Sequence, residues 1–137
     1  MRIMNKKELS KYYRLTIEIK NIEERIQMVK SQFISSPKLT GMPGGNNISN
    51  PVEKNVQLLI RLRNKLEKRK SKAIKELNKI EEYLSSIQDI DTRLIFTKRY
   101  VELKQWNRIA KEMYMSERTV YRKHSNYLKG GQNENNR

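Results

Sequence analysis

The sequence has no cysteine, a single histidine, a single tryptophan, three prolines and five glycines in 137 residues, and half as many acidic as basic side chains. Without cysteine, neither a disulfide framework nor a thiolate-ligated zinc site can form. His124, the lone imidazole, falls on the apolar side of a predicted helix, where it reads as a packed residue rather than a base or a ligand. No nucleophile stands beside a base, so no catalytic residue, metal or cofactor is expected. The run G-M-P-G-G-N at 41–46 is not followed by G-K-S or G-K-T, which favours a turn over a phosphate-binding loop. No apolar run approaches the roughly 18 residues of a membrane span, and the opening M-R-I-M-N-K-K-E carries no signal-peptide core. A soluble, cytoplasmic chain is expected.

Positive charge is what the sequence has in excess. Lys and Arg number 30 against 15 Asp and Glu, a formal net charge of +15, while only 36% of the residues are apolar. So few apolar residues build a modest core, and so large an imbalance points to a polyanion, nucleic acid ahead of an acidic membrane surface.

From Lys7 to Ser35 the apolar residues Tyr12, Leu15, Ile19, Ile22, Ile26, Val29 and Phe33 recur in steps of three and four, a heptad seam. A second seam runs through Val52, Val56, Leu59, Leu66, Ala73, Leu77, Ile80, Leu84 and Ile87, interrupted at Arg63 and Lys70. The breaker-rich stretch S-S-P-K-L-T-G-M-P-G-G-N-N-I-S-N-P, from Ser35 to Pro51, separates them as a long loop over 36–51. Residues 1–88 therefore predict a long antiparallel helical hairpin, coiled-coil-like, whose uncovered apolar surface calls for a second copy of the chain in a homodimer. Within the second helix, residues 61–75 place eight cations in fifteen positions, either a solvated face or a surface lying beside a duplex.

Residues 89–129 have a different texture, with three short helices predicted at Ile90–Val101, Trp106–Met113 and Glu117–Leu128, then a disordered tail at 130–137. Ser116 is placed to cap the last helix by accepting from the amide of Arg118 or Thr119, and Met115 to pack on Val120 as a hydrophobic staple. At 100° per residue, Val120, His124, Tyr127 and Leu128 gather on one side of that helix, while Arg118, Tyr121, Arg122 and Ser125 spread over the other. Long donors in the first turns of a helix suit the major groove: arginine pairs bidentately with guanine, and Tyr or Thr reaches a phosphate or a thymine methyl. Glu117 either accepts from a cytosine amino group or simply favours the positive helix end.

The run R-L-I-F-T-K-R-Y-V-E-L-K-Q-W-N-R-I-A-K-E-M-Y-M-S-E-R-T-V-Y-R-K resembles region 4 of bacterial sigma-70 factors, the module that binds the −35 promoter element. With the helical first half and the S-P-x-L-T-G-M-P-G-G loop, the layout is similar to phage regulators of the ArpU/RinA type, which activate late or packaging genes. The resemblance implies an all-α protein ending in a three-helix, helix-turn-helix domain that binds double-stranded DNA and acts with host RNA polymerase. Base contacts then fall on Glu117, Arg118, Tyr121 and Arg122. Contacts to the DNA backbone fall on Trp106, Asn107, Ser116, Thr119, Lys123 and Ser125. The sequence departs from the family pattern twice. Gln105 stands where Ser or Thr usually caps, and Tyr114 takes the turn position that commonly holds Gly, where positive φ would cost a tyrosine roughly 1 kcal/mol; a differently shaped turn is expected there. A small terminase subunit, which also joins a helix-turn-helix to an oligomerising helical part, is the alternative. A fold that binds polymerase and touches DNA weakly is a third reading.

Overall fold

The computed structural model describes residues 3–35 and 51–135, without the side chains of 33–35, 51 and 131–135. Every element among them is helical: α1 (Lys6–Leu9), α2 (Lys11–Ser35), α3 (Pro51–Ser85), α4 (Ile90–Phe96) running on through a π-helical turn (Thr97–Val101), α5 (Trp106–Met113) and α6 (Glu117–Asn135). The protein is all-α over these residues, and no helix among them is long and apolar enough to cross a membrane. The loop expected at 36–51 lies outside the described residues except for Pro51, which opens α3 in the first turn, where its missing amide leaves no helical bond unmade. Helix α6 continues through Gly130 and Gly131 to Asn135, so the segment expected to be a disordered tail from 130 to 137 is helical as far as 135. Extending a nucleated helix fixes one residue at a time and avoids the cost of a new first turn, which is why two glycines do not end it.

Contacts divide the chain into two compact units, one of Leu15–Lys72 and one of Met1–Arg14 together with Ala73–Arg137. The boundary expected at 88/89 therefore lies elsewhere, because α3 contributes to both units and the N-terminal segment joins the C-terminal one.

In the Leu15–Lys72 unit, Ile22, Ile26 and Val29 of α2 close on Leu62 of α3, with Leu58, Leu59 and Leu66 packed around them. Contacts move backward along α3 as they move forward along α2, since Glu18 meets Arg69 (Nε to Oε1, 2.6 Å) while the later Ile22–Val29 stretch meets the earlier Leu58–Leu66. The first seam has the expected phase: Leu15, Ile22, Ile26 and Val29 are buried. The second holds it in part: Leu59, Leu66, Ala73, Ile80, Leu84 and Ile87 are inward, but Leu62, Arg69 and Glu76 join them in place of Arg63, Lys70 and the exposed Val52 and Val56. Within this unit its inward residues are Leu59, Leu62, Leu66 and Arg69, in steps of three, four and three, and both Arg63 and Lys70 are exposed. Arg69 lies along the seam with its guanidinium on Glu18, and Lys70 stands off it at 3.9 Å from Glu23.

The same period continues in the other unit as Ala73, Glu76, Ile80, Tyr83 and Ile87, all buried. Met4 and Leu9 join Ile80, Tyr83, Leu84, Ile87, Phe96 and Tyr100 in one core cluster. What brings Met4 and Leu9 there is a capping box: the Asn5 side chain accepts from the Glu8 amide at 2.8 Å, and the Glu8 carboxylate accepts from the Asn5 amide at 3.4 Å. α1 then ends at Ser10, whose hydroxyl donates to the Lys6 carbonyl at 2.8 Å, and α2 starts afresh. A second cluster joins Ile95, Ile109, Ala110 and Val120, with Trp106, Met113 and Met115 against it. α4 links the two, Phe96 turned to the first and Ile95 to the second.

Among the described residues Glu76 is the one buried carboxylate, its side chain 7% exposed, within 3.3 Å of both Lys11 and Lys79. Burial works to raise its pKa, but the hydrogen bonds from Lys79 and Lys11 outweigh it and hold the carboxyl below the ordinary glutamate value. A carboxylate whose folded pKa is depressed contributes stability above its unfolded pKa and loses it as pH falls through the folded one. Both lysines reach water, so Glu76→Leu strands no buried charge. The variant is expected to match or exceed the parent's stability at neutral pH by up to about 1 kcal/mol and to lose less on acidification, read from urea midpoints across an acid series.

Candidate nucleic-acid interface

The second cluster fixes how α5 and α6 meet. Ile109 and the small Ala110 are buried against Val120 of α6, so the two helices approach closely at one point. Between them Met113 ends α5 and Tyr114 takes the left-handed conformation at φ 55°, ψ 40°. The Met115 amide then donates to the Ala110 carbonyl at 3.0 Å, the pattern of a helix ended by a left-handed residue. The differently shaped turn expected from the absence of glycine is not found; the tyrosine accepts the strain. Ser116 begins α6 as expected, its hydroxyl accepting from the Thr119 amide at 3.2 Å and sharing a hydrogen bond with the Thr119 hydroxyl at 2.8 Å. Met115 packs on the cluster that contains Val120, which is the staple.

Below α6 lies an aromatic bed. His124 is 2% exposed, its Nε2 hydrogen-bonded to the Tyr100 hydroxyl, with the rings of Phe96 at 4.9 Å and Trp106 at 4.8 Å. Burial among these rings lowers its pKa to about 4, assisted by the positive charges of Lys6 and Arg99, so the imidazole is neutral in the folded protein. Its Nδ1 has no hydrogen-bond partner among the described residues. Trp106 is covered in turn by the Arg99 guanidinium, 4.6 Å from the ring centre, and Arg99 also donates to the Lys104 carbonyl at 3.0 Å. The π-helical turn places these groups. Its widened backbone, closed by the Glu102 amide on the Thr97 carbonyl at 3.0 Å, presents Tyr100 inward and Arg99 over the indole. Leu103, at φ 60°, reverses the chain into α5.

With Val120 and His124 inward, the outward residues of α6 follow. Glu117, Arg118 and Arg122 are exposed, and Tyr121 is 48% exposed with its ring edge on Trp106 at 5.4 Å. These four are the residues assigned to base contacts, and all four are exposed. The six assigned to the DNA backbone are less uniform. Asn107 and Ser116 are exposed, while Trp106, Thr119, Lys123 and Ser125 are half-buried. Trp106 is held by Arg99, Tyr121 and His124, the Thr119 hydroxyl is engaged by Ser116, and Lys123 lies close enough to Asp89 to act on its carboxyl. Asp89, the cap of α4, is held below the ordinary aspartate value first by its hydrogen bonds to the Thr92 hydroxyl and amide.

A second group of cations was not singled out from the sequence. Lys104, Gln105, Asn107, Arg108 and Lys111 line an open concavity at the start of α5. Glu112 organises it, accepting from Lys104 at 2.8 Å and lying 3.3 Å from Lys98 and 3.7 Å from Arg108. Lys104 is held above the ordinary lysine value by its bond to Glu112, and the Glu112 carboxyl is lowered by the same bond. Gln105 makes no side-chain cap, as the departure from the family pattern implied. The spacing Lys104, Arg108, Lys111, in steps of four and three, was the signal available for this face.

The chain belongs to the family described as Protein of unknown function (DUF722), whose model matches residues 6–130. No curated protein and no solved structure matches it.

Two outcomes follow for this surface. Tyr114 is 96% exposed and sits where glycine carries no penalty, so Tyr114→Gly is expected to raise unfolding free energy by about 1 kcal/mol, seen in denaturant midpoints. Between pH 6.5 and about 4 the unfolded chain binds a proton at His124 that the folded chain refuses, so this contribution is full above pH 6.5 and is lost as pH falls. Stability is expected to drop by about 2 kcal/mol from pH 7 to pH 5, and His124→Gln to flatten that slope, with urea titrations at the two pH values as the measurement.

Proposed function

We propose that α4 to α6 form a sigma-region-4-like helix-turn-helix that reads a specific duplex DNA site, with α6 as the recognition helix. The observation that carries this reading is the division of α6: its Val120 and His124 are buried, while its Arg118 and Arg122 are exposed, as are Glu117 and Tyr121. Arginine donors in the first two turns of a helix seated by its apolar side are placed for bidentate pairing with guanine. The cations at the start of α5 lie where the helix before a recognition helix meets phosphates.

Together with the resemblance to ArpU/RinA-type regulators, this supports a phage or prophage activator of late or packaging genes that works with host RNA polymerase. The α2–α3 pair is read as its coiled-coil-like hairpin, and Val52, Val56 and Ile60, exposed on α3, support its use in a homodimer. No catalytic step enters this reading.

Arg118→Ala and Arg122→Ala are each expected to weaken binding to the proper site by about 1–3 kcal/mol and to relax base choice at one position. Selection of bound duplexes from a random pool, parent against variants, measures both. An unchanged sequence preference in both variants would remove α6 as the reading element. Genome-wide footprinting assigns the role: occupancy of a promoter supports the activator, and occupancy of a packaging site makes the protein a small terminase subunit instead.

A further inference from the structure

The Leu15–Lys72 unit carries a basic surface that the recognition helix does not account for. Along α3, Lys54, Arg61, Lys65, Lys68 and Lys72 are spaced seven, four, three and four residues apart and are all exposed. At 100° per residue these five fall within an arc of about 60°, on a flank of the helix turned away from its seam. Gln57, Asn64 and Ser71, seven residues apart and also exposed, extend the flank by about 60° more. No acidic residue between 54 and 72 enters that arc, since Glu67 lies outside it. The line of cations is about 27 Å long.

These cations differ from the other basic residues of α3. Arg69 is bonded to Glu18 and Lys70 stands near Glu23, whereas among the described residues none of Arg61, Lys65, Lys68 and Lys72 has a carboxylate within ion-pair distance. Arg25 adds to them, for it is exposed and lies one heptad beyond Glu18 on the edge of α2 that borders Arg69.

We propose that this flank of α3 is a second, sequence-independent docking surface for the phosphate backbone of duplex DNA. The chemistry selects the partner. A row of unpaired cations bordered by amides and a hydroxyl supplies charge and hydrogen-bond donors to phosphate oxygens, and DNA presents phosphates at a spacing such a row can follow over several nucleotides. A lipid surface would need apolar side chains in the same arc to enter the acyl boundary, and the arc holds none. The surface reads no bases; it adds affinity that falls with salt. It rests on the proposed DNA-binding role but not on α6 being the reading helix.

The test compares two full-length variants of equal charge loss. One carries Arg61→Gln, Lys65→Gln, Lys68→Gln and Lys72→Gln. The other carries Lys20→Gln, Lys30→Gln, Arg63→Gln and Lys70→Gln, off this flank. Circular dichroism first shows that each remains helical and melts cooperatively. Affinity for a selected duplex and for a scrambled duplex is then measured from low to high salt.

The stripe variant is expected to lower the slope of log K against log salt by up to about 3.6, at ~0.9 per phosphate released, equally on both duplexes, with the ratio between them unchanged. The off-stripe variant should lower it by less than 1. Equal slopes in the two variants, or a stripe variant that keeps the parent's slope, overturns the proposal. So does loss of binding to phosphatidylserine vesicles with the duplex slope intact, which would make the flank a membrane surface. If the parent shows no preference between the duplexes, the recognition-helix reading fails, yet the comparison of slopes on the scrambled duplex still decides this one.

Discussion

The contact between the inner side of α6 and the ring cluster below it governs what the C-terminal unit shows to solvent. Phe96 is fully buried and touches the rings of Tyr83, Tyr100, His124 and Tyr127. His124 and Tyr127 belong to α6, Tyr83 to α3, and Phe96 and Tyr100 to α4 and its π-helical turn, so one aromatic side chain ties three parts of the chain together. Aromatic pairs add specific geometry to their area burial, and this geometry sets the rotation of α6 about its own axis. Once that rotation is set, helical periodicity alone decides that Arg118 and Arg122 face outward.

The imidazole in this bed has a structural office. A phenylalanine would fill the space but leave the Tyr100 hydroxyl unpaired, whereas His124 accepts or donates through Nε2 while its ring lies tilted against Phe96 and edge-on to Trp106. Arg99 plays a comparable part above Trp106, where its charge is used against a ring face. The sequence holds more cations than the candidate interface uses because several are committed to such internal work: Arg99 to the indole, Lys98 to Glu112, Lys11 and Lys79 to Glu76.

Much of this was legible beforehand where local chemistry and tertiary packing agree. The bounds of α5, the cap at Ser116, the inward face of α6 and the phase of α2 follow from short-range rules that burial did not override. The expected seam of α3 is right at Leu59, Leu66, Ala73, Ile80, Leu84 and Ile87 and wrong at Val52 and Val56, because the other half of the inward line passes through Leu62, the half-buried Arg69 and the buried Glu76, two of them charged. A pattern of apolar residues cannot reveal a seam whose members are ion-paired. The N-terminal segment was misassigned for a related reason. Asn5 and Glu8 form a capping box that starts a four-residue helix of its own, and only the resulting break at Ser10 lets Met4 and Leu9 reach the C-terminal core. At Tyr114 the expectation failed because the close approach of Ala110 to Val120 requires a tight reversal, and the packing gained there outweighs the strain of one left-handed residue.

The charged positions along α3 also bear on how α2 finds its alignment. Lys11 faces Glu76 and Glu18 faces Arg69, so each step of seven along one helix is matched by seven along the other, and the sign of the charge alternates. Sliding α2 by one heptad in one direction would bring Glu18 against Glu76, carboxylate on carboxylate in a spot nearly closed to water. Sliding it the other way would set Lys11 against Arg69. Leucine and isoleucine tolerate either displacement, since they are interchangeable from one turn to the next. These two charge pairs therefore act as a key that admits a single alignment, and they explain why polar side chains persist in a line that grease alone could have filled.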